Sequence, residues 1–320
     1  MSSNNLLSVI VPLYNESEGV EIFHNELLLP SLKKIVSNSY EIIYVNDGSK
    51  DNTLDLITDI AKKNSRVKVV NLSRNFGKEI ATTAGITVAS GDAIILMDGD
   101  GQHPPELISE FVSKWRAGAQ VVVGVRETNQ GEGLIKKLGS KIFYHVFNSA
   151  SGAEIVPRST DYRLIDRVVC EEFVKFTEHS RITRGLIDWL GFKRDYIYFN
   201  SPARLAGQAS YKTSQLVKLA MNSFVSLSLK PLLMLGWVGL IITFFSLCAG
   251  VFIFIEQFAL GDPLSLRFTG SALLGIFISF LIGLVLTSQG VLAVYLSHIH
   301  THTQGRPLFI IDHSQSVGIK

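Results

Sequence analysis

The order of apolar and polar positions divides the first part of the chain into alternating strands and helices. Four short, β-branched apolar runs predict buried strands. They are Leu7–Val11, Tyr40–Val45, Val67–Asn71 and Ala93–Met97. The segments between them place apolar residues at helical spacing. This alternation predicts an α/β domain with a mainly parallel sheet between two layers of helices, a Rossmann-like three-layer α/β/α fold.

Two longer apolar runs follow near the C-terminus. Leu232–Ile255 and Phe268–Ser297 contain no Asp, Glu, Lys or Arg, and each is long enough to span a bilayer as a helix. The alternative is a pair of helices buried in a soluble protein, which two such runs in close succession disfavour. Lysines before the first run and Arg306 after the second, against a single arginine in the connecting loop, predict a cytoplasmic domain and cytoplasmic termini.

Two amphipathic segments predict either membrane-surface helices or helices packed on the domain core. They are residues 133–148 and 213–230, and both combine an apolar helical face with lysines. The expected organisation is an α/β domain over 1–212, a juxtamembrane helix over 213–230, two spans within 231–297, and a cytoplasmic tail over 298–320.

Composition excludes several classes of protein. The net charge is +2 without a basic stripe that interleaves with aromatic residues, so nothing supports nucleic-acid binding. Two cysteines cannot form a disulfide framework or a cysteine-rich metal site. The N-terminus lacks the pattern of a signal peptide. Trp115 and Trp189 are expected to pack in the core.

Two carboxylates follow the fourth predicted strand, where open α/β sheets bind ligands. Asp98 and Asp100 form a D-x-D pair that can bind a divalent cation and leave coordination positions for substrate phosphates. An acidic turn that caps the next helix is the alternative.

Polar residues also follow the other three strands, so the four clusters are expected to form one cleft. Asp47 could accept hydrogen bonds from a base or a ribose, or could belong to an ordinary Asp-Gly turn. Arg74 and Lys78 add the positive charge that a diphosphate requires. A solvated helix start is the other interpretation of these two basic residues.

Five motifs in this order, followed by two apolar runs, resemble the family 2 glycosyltransferases that charge polyisoprenyl phosphates. The motifs are VPLYNE, VNDGSKDNT, LSRNFGKE, MDGDGQHPPE and STDYRLIDR. This group contains the dolichyl-phosphate mannose synthases and the bactoprenol glucosyltransferases of the GtrB type. The resemblance implies a GT-A fold, a nucleotide-diphosphate sugar donor, Mg²⁺ or Mn²⁺, a polyisoprenyl phosphate acceptor and a homo-oligomer, a tetramer in the GtrB type. It also implies a bacterial inner membrane as the location.

The resemblance also implies roles for individual residues. The nucleotide pocket is expected to contain Pro12, Tyr14, Glu16, Asp47 and Lys78. Asp98, Asp100 and Gln102 are expected to bind the metal and the diphosphate, with Arg126 facing the phosphates. Asp161 lies where the family places an acidic residue near the sugar and the acceptor; as the alternative, it would cap a helix over 162–169. The acceptor phosphate is expected to contact Arg204, Ser210 and Lys212, which could instead be plain juxtamembrane anchors. Residues 306–309 resemble a family feature that returns the chain to the catalytic domain.

The expected reaction inverts the anomeric centre of the transferred hexose. UDP-glucose is the first choice of donor, because the motifs VNDGSKD and LSRNFGKE resemble those of the GtrB-like group. GDP-mannose, a UDP-N-acetylhexosamine and a formamido-arabinose donor stay open. A membrane-anchored scaffold that binds nucleotide sugars without catalysis is an alternative of another class. A dinucleotide oxidoreductase is disfavoured, because Pro12 and the residues after it replace the glycine-rich turn that such a fold requires after its first strand.

Overall fold

The computed structural model describes residues 5–35, 39–127, 158–178, 181–202 and 305–319, with Val156 and individual positions between 251 and 303. The chain divides into two units. One consists of Met1–Leu216 and Arg306–Lys320, and the other of Val217–Gly305. Both predicted amphipathic segments and most of the first apolar run lie outside the described residues.

The first unit contains a mixed sheet of seven strands. They are β1 (Leu7–Leu13), β2 (Tyr40–Asn46), β3 (Val67–Asn71), β4 (Ala93–Leu96), β5 (Val121–Arg126), β6 (Ser159–Asp166) and β7 (Arg194–Phe199). The α-helices of the described residues are α1 (Val20–Ile22), α2 (Leu29–Ile35), α3 (Thr53–Lys63), α4 (Lys78–Val88), α5 (Ile108–Arg116), α6 (Arg167–Phe173) and α7 (Thr183–Trp189). A π-helical stretch, Phe23–Leu28, joins α1 to α2, and a 3₁₀ turn, Pro105–Leu107, precedes α5.

The sheet order is β3-β2-β1-β4-β6-β5-β7. The four predicted strands are confirmed as β1 to β4, and they run parallel to one another. Strand β6 is antiparallel to both β4 and β5, so the sheet is mainly rather than wholly parallel.

The prediction of a helix over residues 162–169 is wrong, because these residues belong largely to β6. Asp166, not Asp161, caps the following helix by accepting a hydrogen bond from the Val168 N–H.

Each central strand is buried on both faces, because helices cover the sheet on its two sides. In β1, Val9 and Val11 belong to one apolar cluster, and Ile10 belongs to the cluster on the opposite face. Trp115 packs partly buried against the first cluster and donates from Nε1 to Asp166 over 2.6 Å. The prediction for Trp189 is wrong, since 62% of this residue is exposed at the end of α7.

A buried ion pair fixes α7 against β6. The Arg163 guanidinium donates to both carboxylate oxygens of Asp188, over 2.7 and 3.2 Å, and both side chains are nearly inaccessible to solvent. Arg163 lies two residues after Asp161 on β6, so the two side chains point to the same face of the sheet. The pair therefore fixes α7 on the face of the sheet from which Asp161 projects.

The C-terminal residues pair with the edge strand β3. Val317 and Val69 exchange backbone hydrogen bonds of 2.9 Å, and Ile311 forms a second antiparallel bridge with Leu72. Phe309 and Ile311 pack against the apolar cluster that contains α4 residues. The chain thus returns to the first unit after residue 305, and its C-terminal residues cover an edge of the sheet that would otherwise expose unpaired backbone groups.

In the second unit, the described positions between 270 and 299 are helical. Several of them expose large apolar side chains, namely Leu274, Phe277, Ile278, Val285, Leu292 and Leu296. Within the described residues, no helix is both long and apolar enough to cross a bilayer.

We predict that Asp188→Asn destabilises the first unit by about 3 kcal/mol or more, because it leaves the buried Arg163 guanidinium without its counter-charge. Denaturant unfolding of the full chain, followed by tryptophan fluorescence, measures the effect. Asp59→Asn is the matched control, since the Asp59–Lys62 pair is exposed and the substitution should leave the unfolding midpoint unchanged. Equal midpoints for both variants would contradict the role of the pair.

Candidate active site

The carboxyl ends of β1, β2 and β4 meet at one edge of the sheet and bring their polar residues together. Pro12 is next to last in β1, Asp47 follows β2, and Asp98 lies two residues after β4. Asp161, from the antiparallel strand β6, enters the same cleft, whose inner wall also includes Pro12, Lys78 and Asp98. The structure therefore brings these predicted site residues into one place.

Asp47 clamps the loop that follows β3. Its two carboxylate oxygens accept hydrogen bonds from the backbone N–H groups of Phe76 and Gly77, over 2.7 and 2.9 Å. Burial raises the pKa of Asp47, although these hydrogen bonds oppose the shift. A carboxylate has further lone pairs, so the predicted contact to a ribose is compatible with this clamp.

Gly48 permits the close approach of the two loops. A Cβ atom at this position would lie 2.5 Å from the carbonyl carbon of Arg74, and its φ of +62° also favours glycine. Arg74 itself is exposed and lies over the Phe76 ring, with its guanidinium carbon 4.0 Å from the ring centroid.

The loop after β1 is held by the loop after β2. Asn15 adopts a φ of +54°, its N–H donates to Ser49 Oγ, and its side-chain oxygen accepts from the Lys50 N–H. The Glu16 N–H donates to Thr53 Oγ1 at the start of α3. Tyr14, which follows β1, is 42% exposed. These contacts give the predicted base pocket a fixed backbone.

Lys78 connects the two acidic positions of the cleft. Its Nζ atom lies 2.6 Å from Asp98 Oδ1 and 2.9 Å from Asp161 Oδ2. Although burial alone would lower the pKa of Lys78, the charges of Asp161 and Asp98 raise it well above its usual value. Lys78 is therefore positively charged throughout the physiological range of pH.

Asp161 is held in its ionised form. Burial would raise the pKa of its carboxyl, but the positive charges of Lys78 and Arg184 lower it well below its usual range. Glu79, the neighbour of Lys78 on α4, has its pKa raised by burial and by the Asp161 charge. A carboxylate with a lowered pKa is a weak base, so Asp161 is better suited to orient a substrate than to remove a proton.

Asp98, Asp100 and Gln102 form a short acidic loop after β4. The Asp98 N–H donates to Nδ1 of His103 over 2.9 Å, and the Gln102 N–H donates to Asp100 Oδ1 over 3.0 Å. Burial lowers the pKa of His103, whose ring is stacked on Tyr162 with 4.9 Å between centroids. The neutral ring thereby fixes the backbone that presents Asp98.

Arg126 ends β5 beside this loop. One guanidinium nitrogen lies 3.5 Å from Gln102 Oε1, and its buried Nε has no hydrogen-bond partner among the described residues. An unpartnered buried donor leaves hydrogen-bonding capacity for an anionic ligand. That Arg126 faces phosphates stays a prediction.

The donor set fits a hard divalent cation. Carboxylate and amide oxygens from Asp98, Asp100 and Gln102 are the ligands that Mg²⁺ and Mn²⁺ prefer. No cluster of three His, Cys, Asp or Glu side chains suited to a metal occurs within the described ranges. Magnesium sites that act on nucleotides use one or two carboxylates together with substrate phosphates, so such a cluster is not required.

Four residues near the site have no role predicted from the sequence. His103 lies within a quoted motif but received no role, and Glu79 directly follows Lys78. Thr183 and Arg184 begin the seven-residue helix α7, which has no distinctive sequence pattern. All of Glu79, Thr183 and Arg184 line the cleft beside Asp161. Long-range contacts, not local motifs, reveal these residues. The predicted acceptor residues Arg204, Ser210 and Lys212 lie outside the described residues.

Comparisons with known proteins identify the family of the chain. The family model described as Glycosyl transferase family 2 matches residues 8–174. An uncharacterized glycosyltransferase of Synechocystis sp. is 39% identical over 96% of this chain and 94% of its own length. A prophage-derived bactoprenol glucosyl transferase of Shigella flexneri is 32% identical over 96% of this chain and 98% of its own.

Among solved structures, mannosyl-3-phosphoglycerate synthase from Rubrobacter xylanophilus resembles the fold. It has a TM-score of 0.51 and 17% identity, and the match covers 68% of this chain and 71% of that protein. The match supports the GT-A-like α/β fold and says nothing of the substrate. On the strength of the family model and the near full-length relatives, the chain belongs to glycosyl transferase family 2 and is a glycosyltransferase.

Proposed function

We propose that this glycosyltransferase moves a hexose from a nucleotide-diphosphate sugar, with UDP-glucose as first choice, to a polyisoprenyl phosphate at the cytoplasmic face of a membrane. The observation that carries the proposal is the cleft in which Lys78 bridges Asp98 and Asp161 at the carboxyl edge of the sheet. Near full-length similarity to bactoprenol glucosyl transferases supports the choice of acceptor.

The charge of the acceptor simplifies the chemistry. A phosphate monoester is already anionic near neutral pH, so its oxygen can attack C1 of the sugar without a strong general base. Positioning of the two substrates and stabilisation of the departing diphosphate then dominate the rate enhancement. Attack from the face opposite the nucleotide inverts the anomeric centre, so an α-linked donor gives a β-linked product.

The cleft residues have separate tasks in this reaction. Arg126, with its unpartnered Nε, donates to the diphosphate as negative charge develops on it. Asp161, kept ionised by Lys78 and Arg184, accepts hydrogen bonds from sugar hydroxyls and orients the ring. Asp98, Asp100 and Gln102 would hold a bound Mg²⁺ or Mn²⁺. Such an ion supplies positive charge that stabilises the leaving nucleotide.

The course of the chain supports a membrane anchor with two spans. Residues before 217 and after 305 belong to the same folded unit. A polypeptide that leaves one side of a bilayer and returns to it must cross an even number of times. The two uncharged runs, 232–255 and 268–297, supply two crossings, and the described helical positions in the second run expose apolar side chains. The positive-inside rule then favours the cytoplasm for both termini.

Other donors and other assemblies are consistent with the same site. GDP-mannose, a UDP-N-acetylhexosamine or a formamido-arabinose nucleotide would use the same diphosphate contacts, and a homotetramer would follow the GtrB type. A non-catalytic scaffold that only binds nucleotide sugars is disfavoured, because Lys78, Asp98 and Asp161 form a charged constellation beyond what base and ribose recognition requires.

The transfer reaction tests the proposal directly. With radiolabelled UDP-glucose, undecaprenyl phosphate and Mg²⁺, the full-length protein should produce labelled glycolipid. Asp100→Ala should lower the rate at least about 100-fold, because the diphosphate loses a site for charge neutralisation. Asp59→Ala, on the exposed face of α3, is the matched control and should retain full activity. Donor binding without any labelled lipid would favour the scaffold instead.

A donor screen identifies the nucleotide and the sugar. Thermal unfolding of the protein with Mn²⁺ and each candidate nucleotide sugar should show a raised midpoint only for ligands that bind the folded state. We expect the largest shift with UDP-glucose. We expect EDTA to remove most of this shift, because the metal ion would contribute to binding of the donor diphosphate. A larger shift with GDP-mannose would replace the first choice of donor.

The membrane topology can be tested by cysteine labelling. In intact cells, a membrane-impermeant maleimide should label Ser265→Cys, in the loop between the two apolar runs. His313→Cys is exposed on the C-terminal segment and should react only after the cells are permeabilised. The native Cys170 is buried, and replacing the second native cysteine, Cys248, by serine in both variants removes its background labelling. The reverse labelling pattern would place the catalytic unit on the opposite side of the membrane.

A further inference from the structure

We propose that Gln315, near the C-terminus, is a positioning residue for the nucleotide pocket and acts through the buried amides of Asn71 and Asn46. The inference rests on the proposed function, because it assigns the nucleotide to the loops after β1 and β2. It assigns to the last residues of the chain a role in donor affinity in addition to their cover of a sheet edge.

A continuous chain of hydrogen bonds joins the C-terminal segment to the pocket. Gln315 Oε1 accepts from Asn71 Nδ2 over 3.0 Å, and Asn71 Oδ1 accepts from Asn46 Nδ2 over 2.7 Å. Asn46 Oδ1 then accepts from the Ser49 N–H over 3.3 Å, and Ser49 Oγ accepts from the Asn15 N–H over 3.0 Å. The chain therefore ends on the backbone of the loop after β1.

The first link of this chain is well anchored. The backbone of Asn71 is paired on both sides, since its N–H donates to Ser316 Oγ and its carbonyl accepts from the Asp312 N–H. Asp312 in turn accepts hydrogen bonds from Ser314 and Gln315 and organises the turn that presents the Gln315 side chain. Gln315 is exposed, whereas Asn71 and Asn46 are only 5% and 2% exposed.

Asn46 is the point where the relay reaches the pocket. It directly precedes Asp47, whose carboxylate fixes the loop after β3. Its amide donates to Asn71 and accepts from Ser49 at the same time, so rotation of this side chain would break both contacts. Asn71 directs its oxygen to Asn46 and its amino group to Gln315, so the acceptor that Gln315 supplies favours the orientation of Asn71 that Asn46 requires.

The first experiment compares Gln315→Leu with Gln315→Glu in the full-length protein. Calorimetric titration with UDP and Mn²⁺, and with GDP in parallel, measures the affinity for the nucleoside diphosphate. We expect Gln315→Leu to weaken binding about threefold to fivefold, because one hydrogen bond of the relay is lost. Gln315→Glu keeps an acceptor for Asn71 and should restore the affinity, and His313→Ala on the same segment should have no effect.

Kinetics separate positioning from a purely structural role. Gln315→Leu should raise the KM for the nucleotide sugar by a similar factor and leave the KM for the lipid phosphate and kcat nearly unchanged. Loss of thermal stability with an unchanged nucleotide affinity would overturn the proposal. If the wild-type protein bound neither UDP nor GDP, the proposed function itself would fail, which is a distinguishable result.

A double-mutant cycle tests the direction of the relay. With Asn46→Asp, the Asn71 amide can turn to donate to the new carboxylate, and Gln315 can turn to donate to Asn71. In the double variant Asn46→Asp/Gln315→Glu, both ends offer only acceptors, and Asn71 can satisfy only one of them. We expect the double variant to lose at least about threefold more affinity than the two single effects combined, and additivity would overturn the relay. The Gln315→Leu comparison stands independently if Asn46→Asp does not fold.

Discussion

The structure of the site depends on one ammonium group held between two carboxylates. Lys78 begins α4 directly after Gly77, whose φ of +98° allows the chain to turn into the helix at this point. From there its side chain reaches Asp98 after β4 and Asp161 on β6. Without this cation, two carboxylates in a partly buried cleft would repel each other and one would tend to take up a proton. With it, both carboxylates have a positively charged partner within hydrogen-bond distance.

The sequence predicted most of the sheet because its signals are local. Strand β3 has the predicted bounds, and β1, β2 and β4 differ by one or two residues, since each is a compact β-branched run with polar residues after it. Strand β6 was not predicted, because its sequence STDYRLID mixes charged and apolar positions and its acidic residues resemble helix caps. Its charges are tolerated in the sheet because partners distant in sequence neutralise them, Asp188 for Arg163 and Lys78 for Asp161.

For the candidate site, too, local features were predictable from the sequence and long-range contacts were not. The residue types and their positions after strands were predictable, because carboxyl ends of parallel strands meet at one edge. The ion pairs between these residues were not predictable, because Lys78 and Asp161 are 83 positions apart and no local pattern connects them. Asp47 shows the same limit, because its Asp-Gly turn was evident but its two bonds to the loop after β3 depend on tertiary packing. His103 lies within the motif MDGDGQHPPE, but only its hydrogen bond from the Asp98 N–H shows that it fixes the backbone at Asp98.

The C-terminal segment gives the edge strand β3 two functions at once. By pairing with Val69 and Leu72, it satisfies backbone groups that an open edge would expose to other chains. The same segment reaches Asn71, whose buried side chain accepts a hydrogen bond from Asn46 at the end of β2. The segment that protects the edge strand is therefore also the segment whose Gln315 side chain accepts a hydrogen bond from Asn71.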